Sequence, residues 1–302
     1  LRKLVKKIFR TFDALIFVSA VGIAVRAVAP HLKDKREGIS VIVLDELGKF
    51  SISLVGGHRG ANKLAREIAE KTGAVPVITT STDVQGLTCA EEIAERLNLE
   101  IDNHEMLKKV NSAIASRKKV LIYSDIKFDF TFIRGAKPKF GSVKNLNKIK
   151  NFDAVIAITN KIMNSKKILL LRPKNIVIGI GSKKNIEKEK VLLGIKLAMR
   201  KAKLAEKSIK AIAIPEFRKN EKGIIEAASE LGAGIAVVPE SRIKEKEHLF
   251  ASSSFVKSKV GIGSVSEPCA VLAYKNSKLI RKKVKYKGVT VAIGEVKNHK
   301  VV

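Results

Sequence analysis

SISLVGGHRGANKLAREIAEKTGAVPVITTSTD, residues 51–83, reads in order as a strand, a glycine-rich loop, a helix and a second strand. Ser51 to Val55 is short, apolar and β-branched. Gly56, Gly57 and Gly60 break it, and glycine permits the positive φ of a tight strand-to-helix turn. From Ala61 the period changes: Ala61, Leu64, Ala65, Ile68 and Ala69 share one helical face, and Lys63, Arg66, Glu67, Glu70 and Lys71 the other. Gly73 is placed to end that helix. Val75 to Thr80 is the expected next strand, with Ser81, Thr82 and Asp83 as its polar tip.

Such a loop suits an anion. Backbone N–H groups at a helix N-terminus, together with the helix dipole, favour negative charge. Gly56, Gly57 and Gly60 let a ligand approach the backbone, and His58, Arg59 and Asn62 add donors at the same mouth. If the two strands are parallel, Thr79, Thr80 and Asp83 lie beside the loop. Neither a Walker A loop nor the G-x-G-x-x-G dinucleotide fingerprint is present. The plain alternative is that the glycines only shape a turn and that His58 is a surface residue.

Outward from this stretch, 302 residues suffice for two ordinary α/β domains, and 45% hydrophobic content suffices for their cores. There are 59 basic against 29 acidic residues, a net charge of +30, so an anionic partner is implied: nucleic acid, an anionic membrane surface or a polyanionic small molecule. The lysines are scattered and not gathered in a tail. Cys89 and Cys269 stand far apart, which excludes a disulfide framework and shows no metal-ligand spacing. The expected compartment is the reducing cytoplasm. The longest apolar run, Ala14 to Val25, falls short of the ~20 residues a membrane helix needs.

Leu1 to Phe12 reads as a basic amphipathic helix. An α/β domain normally opens with a strand, so either an upstream βα unit or a non-standard start codon is expected. Asp13 to Ser19 is predicted as a buried strand and Gly22 to Leu32 as a short helix. Ser40 to Asp45 is a strand turning through Glu46–Lys49 into the central unit, a hairpin in an otherwise parallel sheet. Helices are predicted over Cys89–Leu97 and Glu105–Arg117, with Cys89 at core spacing to Ile93 and Leu97. Val120–Ser124, Asp153–Thr159 and Lys167–Arg172 are strands. Phe128, Phe130 and Phe132 alternate among basic residues, a pattern that suits nucleic-acid stacking but better suits one face of a half-buried strand.

A second α/β pattern begins after Lys174. It runs strand Ile176–Ile180, a turn at Gly179, Gly181 and Ser182, helix Ile186–Leu204, strand Ala211–Pro215, helix Gly223–Leu231 and strand Gly234–Pro239. Ser241 is a candidate N-cap for a helix through Glu247. VGIGSVSEPCAVLAY, residues 260–274, holds a glycine turn, Ser264, Ser266 and Glu267, then a small-residue helix with Pro268 in its first turn. Leu279–Tyr286 and Val289–Val296 make a basic hairpin that carries Lys285. The expected class is α/β: two α/β domains with mainly parallel sheets, residues 1–110 and 175–302, joined by a smaller α/β middle segment, residues 111–174.

No Ser-His-Asp, Cys-His or HExxH arrangement is legible. Of His31, His58, His104, His248 and His299, only His58 lies in a glycine loop, where with Asp83 it could act as general base on water. One glycine turn per domain could clamp an anionic ligand in a cleft.

Five stretches carry a resemblance to a known family. They are AVGIAVRAVAPHLKDK (20–35), SLVGGHRGANKLAREIAEKTGAVPVITTSTDVQGL (53–87), LRPKNIVIGIGSKKN (171–185), VKSKVGIGSVSEPCAVLA (256–273) and KVKYKGVTVAIGE (283–295). In this order they resemble the cobalamin-biosynthesis family CbiG, the cobalt-precorrin 5A hydrolases, over nearly the whole chain. The region from about residue 175 also resembles CobE of the aerobic pathway. Family members usually begin with a further strand and helix, which is the upstream unit expected before Leu1; the chain also writes GGHRGAN where SGHLGGAN is common and carries Ser182 and Lys183 where Cys-Arg is common.

The resemblance implies opening of the δ-lactone of cobalt-precorrin 5A and release of a two-carbon fragment as acetaldehyde, giving cobalt-precorrin 5B. Water aimed at a lactone carbonyl, donors for the oxyanion and a proton relay are then needed. Proton handling is assigned to His58, Asp83 and Glu267. Substrate binding falls to Gly56, Gly57, Arg59, Gly60, Asn62, Thr79, Thr80, Ser264 and Lys285. Ser264 and Glu267 are expected to face the same cleft as the loop. No metal of the protein's own and no cofactor is expected, because cobalt arrives with the polycarboxylate tetrapyrrole. No nucleic acid or membrane partner is expected. A homodimer, or transient contact with neighbouring methyltransferases of the pathway, stays open. Two other classes are weighed: a nucleic-acid-binding protein, which the scattered lysines and missing recognition motif count against, and a non-catalytic corrinoid carrier.

Overall fold

A computed structural model of the chain describes residues 1–32, 39–143, 146, 151–163, 167–250, 258 and 261–297. His299, Val260 and the last three residues of the 20–35 stretch therefore lie outside the described residues. Two compact units divide the chain: Leu1–Ile93 with Leu107–Val120 and Thr131–Ala136, and Ala94–Met106 with Leu121–Phe130 and Lys137–Val302.

The first unit is built on a four-stranded sheet in the order β1 (Ala14–Val18), β2 (Ser40–Leu44), β3 (Phe50–Val55), β4 (Val75–Val77). β1 and β2 are parallel, as are β3 and β4, while β2 and β3 form the antiparallel hairpin expected in the middle. Asp45 holds the hairpin turn: its carboxylate accepts the Phe50 N–H at 2.6 Å, which keeps the acid below its ordinary range. β1 is an edge strand with alternating burial, Leu15 and Phe17 inside and Ile16 and Val18 outside, and not the fully buried strand expected. Its inner face meets α1 (Arg2–Ile8) and α2 (Val21–Val28) through Val5, Ala24, Ala27 and Val28. On α3 (Ala61–Thr72), Ala61 and Ala65 pack with Ile42 and Leu44 of β2. Methyl-sized side chains at this spacing let the helix axis approach the sheet. Gly73 at φ 76° closes the helix as its sequence required.

Three further helices complete the unit or leave it: α4 (Ser81–Val84), α5 (Ala90–Arg96), which straddles the division, and α6 (Leu107–Ala115). The expected strand to Thr80 stops at Val77, and Ser81–Asp83 is helical and not an extended tip. No helix among the described residues is long and apolar enough to cross a membrane.

The second unit contains two five-stranded sheets. One has the order β5 (Leu99–Ile101), β9 (Ile168–Pro173), β8 (Ala154–Ile158), β6 (Val120–Ser124), β7 (Lys137–Phe140). Phe128, Phe130 and Phe132 do not form the strand expected of them: they lie in an irregular segment, with the Phe128 and Phe130 rings 6.1 Å apart. The other sheet has the order β12 (Gly234–Val238), β11 (Ile209–Pro215), β10 (Ile176–Ser182), β14 (Val289–Val296), β13 (Ser277–Tyr286). Its first three strands are parallel and the hairpin β13–β14 is antiparallel.

Helices cover both faces of this second sheet. α7 (Lys188–Ala202) and α8 (Lys222–Glu230) pack on the side of Ile176, Ile178 and Ile180. α9 (Glu240–Glu245) and α10 (Ser266–Leu272) contribute Ile243 and Cys269 to the side of Val177. The glycine turn expected at Gly179–Ser182 is absent, for these residues remain in β10. Gly179 is there for close packing: a Cβ would overlap the Ser266 carbonyl and sit 2.9 Å from the Ala270 Cβ. Ser241 is inside α9, whose N-cap is Pro239. The class is α/β, with mostly parallel strands and helices.

Candidate active site

The loop between β3 and α3 is a 3-10 turn, Gly57–Arg59, flanked by two left-handed glycines, Gly56 at φ 83° and Gly60 at φ 108°. Those angles are why glycine stands at both positions. The Arg59 and Ala61 N–H groups turn back onto the Gly56 carbonyl at 2.8 and 3.1 Å, so they close the turn and do not face outward. Gly57 is needed for another reason: a Cβ would lie 2.7 Å from Thr80 Oγ1 and 2.9 Å from Asn62 Oδ1.

Asn62 is the centre of this mouth. It is buried. Its amide nitrogen donates to Thr80 Oγ1 at 3.0 Å and to Asp83 Oδ2 at 2.9 Å, and its carbonyl accepts from Ser53 Oγ at 2.7 Å. The other Asp83 oxygen pairs with the Arg66 guanidinium at 2.7 Å. The structure therefore brings Gly57, Asn62, Thr80 and Asp83 together, as parallel β3 and β4 required. Both Asp83 oxygens and the Asn62 amide are committed to neighbouring side chains. Arg59 and Thr79 are exposed.

His58 meets a different set of groups. Its Nδ1 is buried and has no hydrogen-bond partner. One donor atom each from His58, Cys89 and Glu91 lies within 4.8 Å of the other two, a separation compatible with a shared metal ion. Asn111 on α6 holds this corner. Its Nδ2 donates to Glu91 Oε2 at 2.6 Å and its Oδ1 accepts the Ala90 N–H at 2.9 Å. Burial first, then the Glu91 carboxylate, pushes the Cys89 thiol up to about 12, against a weaker pull from the Glu92 N–H. Cys89 is in the core, as its spacing predicted. Its approach to His58 was not legible, because two stretches 31 positions apart meet only in the folded unit.

Ser264, Glu267 and Lys285 belong to the second unit. Ser264 is buried and its Oγ has no partner, while buried Glu267 in α10 accepts the Lys283 N–H at 2.9 Å. Lys285 is exposed on β13 opposite Thr290. This unit also contains basic clefts that the sequence did not reveal. One of about 430 Å³ is lined by Lys161, Lys201, Lys203 and Arg281 together with Asp125 and Glu295. Another of about 500 Å³ has Lys196, Arg200 and Lys207 on its wall, with Arg172 held by Asp102 at 2.8 Å. Cations outnumber carboxylates in both linings, which favours an anionic occupant.

The geometry defines an α/β protein with a polar strand–helix mouth and cationic clefts. Comparison with known proteins narrows this. Family models match in chain order: Cobalamin synthesis G N-terminal over residues 3–83, Cobalamin biosynthesis central region over 90–173, and Cobalamin synthesis G C-terminus over 176–294. The chain is 34% identical over 300 residues to the cobalt-precorrin-5A hydrolase of Salmonella typhimurium, covering 96% of this chain and 84% of that protein. It is 26% identical to the cobalt-precorrin-5A hydrolase of Priestia megaterium, covering 97% and 81%. A Sulfolobus solfataricus crystal structure described as a cobalamin biosynthesis protein G homolog is 27% identical and covers 97% of this chain and 85% of that one, at a TM-score of 0.40. The chain belongs to the cobalamin-biosynthesis CbiG family, that of the cobalt-precorrin-5A hydrolases.

Proposed function

We propose that this chain hydrolyses cobalt-precorrin 5A, opening the δ-lactone and releasing acetaldehyde to leave cobalt-precorrin 5B. The observation that carries the reading is the 34% identity to a relative named for this hydrolysis, over 96% of the chain. The net charge of +30 suits a macrocycle bearing many carboxylates, which is the partner proposed. Cobalt enters as part of that substrate. Reaction in the cytoplasm is consistent with two free, buried cysteines.

At the mouth of the first unit, His58 is the group suited to activating water for attack on the lactone carbonyl. Water adds to that carbon, the ring C–O bond breaks, and the released oxygen takes a proton. That hydroxyl then gives up its proton as the carbon–carbon bond to the macrocycle breaks, the electron pair and a proton pass to the macrocycle carbon, and the two-carbon fragment leaves as acetaldehyde. Gly57 lets the turn that carries His58 pack directly against Thr80 and Asn62, where a Cβ would collide with both, and so holds that histidine at the mouth. Asp83, fixed by Arg66 and Asn62, supplies negative potential and order there in place of a mobile base. Glu267 and Ser264 are retained as proton-handling and binding groups of the second unit, with Lys285 a surface cation for substrate carboxylates.

The test is product mass. Wild-type protein with cobalt-precorrin 5A gives a product that has taken up water and lost acetaldehyde. His58→Ala is expected to lower turnover by about 10²–10⁴-fold, the usual worth of a positioned acid–base group. Unchanged turnover removes His58 from the chemistry, and tight binding without turnover by the wild type favours a corrinoid carrier.

A further inference from the structure

The cluster of His58, Cys89 and Glu91 has more in it than hydrolysis by a lone histidine requires. We propose that these three side chains bind one divalent cation of the zinc class, leaving a fourth position for water. This departs from the expectation that the protein holds no metal of its own.

The donor set is an imidazole nitrogen, a sulfur and a carboxylate oxygen. Zinc and tetrahedral cobalt(II) accept all three, whereas calcium and magnesium take oxygen alone. Three protein ligands and an open position are the pattern of a catalytic site, and four the pattern of a structural one. All three donor atoms lie within 4.8 Å of one another. Bond lengths of about 2.0–2.3 Å in a tetrahedron put donors about 3.3–3.8 Å apart, so they draw in by about 1.5 Å at most.

Two independent observations point to a ligand. The buried His58 Nδ1 has no partner, and buried polar atoms in folded proteins almost always have one. Asn111 performs the task of an outer-shell residue: it grips one Glu91 oxygen at 2.6 Å and the Ala90 N–H at 2.9 Å. That fixes the carboxylate and presents its second oxygen. The Glu92 N–H, 3.4 Å from Cys89 Sγ, is a donor to the sulfur that stabilises a thiolate. Asp83 is outside the set, since Arg66 and Asn62 occupy both its oxygens. Through such a cation His58 would activate water as a ligand and not as a base. That role rests on the function proposed above, whereas binding of the cation does not.

The experiment is titration of the chelator-stripped full chain with cobalt(II) chloride alone, followed by absorption. One equivalent should bind with thiolate-to-cobalt charge transfer in the near ultraviolet and intense tetrahedral bands in the visible, and zinc should abolish both. Cys89→Ser should lose the charge-transfer band and Cys269→Ser, lacking the other thiol, should keep it. Asn111→Ala should weaken cobalt binding about 10–100-fold with unchanged circular dichroism. A folded wild type without the thiolate band, or a band that survives Cys89→Ser, overturns the proposal. If Cys89→Ser does not fold, Glu91→Gln decides: unchanged cobalt affinity overturns it. No tetrapyrrole enters the titration, so its failure is distinct from failure of the hydrolase reading.

Discussion

Asn62 commits its carbonyl to Ser53 and its amide to Thr80 and Asp83, all inside the first unit. Asn62→Ala therefore strands three polar groups at once. The expected cost is about 1–3 kcal/mol, read as a lowered denaturant midpoint at constant slope. An unchanged midpoint contradicts the role. Asp45 gives a pH signature. Its native pKa is lowered by the Phe50 N–H, so its contribution is fully present above the ordinary aspartate value of 3.8 and lost as pH falls through the lower native value. Asp45→Asn should melt below wild type at neutral pH, with the gap closing in acid. A gap independent of pH excludes the carboxylate. At this scale the sequence showed the glycines, because positive φ selects them, and it placed Thr80 and Asp83 at the loop. It did not show that Asn62 is enclosed, because Ser53 of β3 and the start of α4 close on it only in the folded unit, or that Cys89 and Glu91 reach His58, because the start of α5 meets the loop only there.

β10 and α10 meet across Gly179. A methyl group at Gly179 collides with the Ser266 carbonyl and stands 2.5 Å from the Ala270 nitrogen. Backbone on a packed helix cannot yield as a side chain does. Gly179→Ala should cost about 3 kcal/mol or more, the upper range for overpacking, measured as a lower Tm or as loss of soluble protein. A variant as stable as wild type would show that α10 is not seated there. The same contact explains a misreading. Glycines after an apolar run usually signal a turn, but here they signal a helix pressed on a strand that continues. The Phe128–Phe132 alternation misled in the opposite direction, since period two describes a strand only where a neighbour offers a ladder, and none of the sheets takes up this segment. Amphipathic α3 and the β2–β3 hairpin were legible because local pattern and tertiary packing agree there.

Over the whole molecule the charge of +30 is spread across both units, so its effect on an anionic substrate is long-range and screened by salt. The KM for the tetrapyrrole should rise with ionic strength while kcat holds, and a salt-independent KM would remove steering by net charge from the account. The most direct measurement is acetaldehyde trapped during incubation of this chain with cobalt-precorrin 5A, counted against the corrinoid converted. One acetaldehyde per cobalt-precorrin 5B formed is the predicted result. Corrinoid bound and recovered unchanged, with no acetaldehyde, would contradict the hydrolase reading.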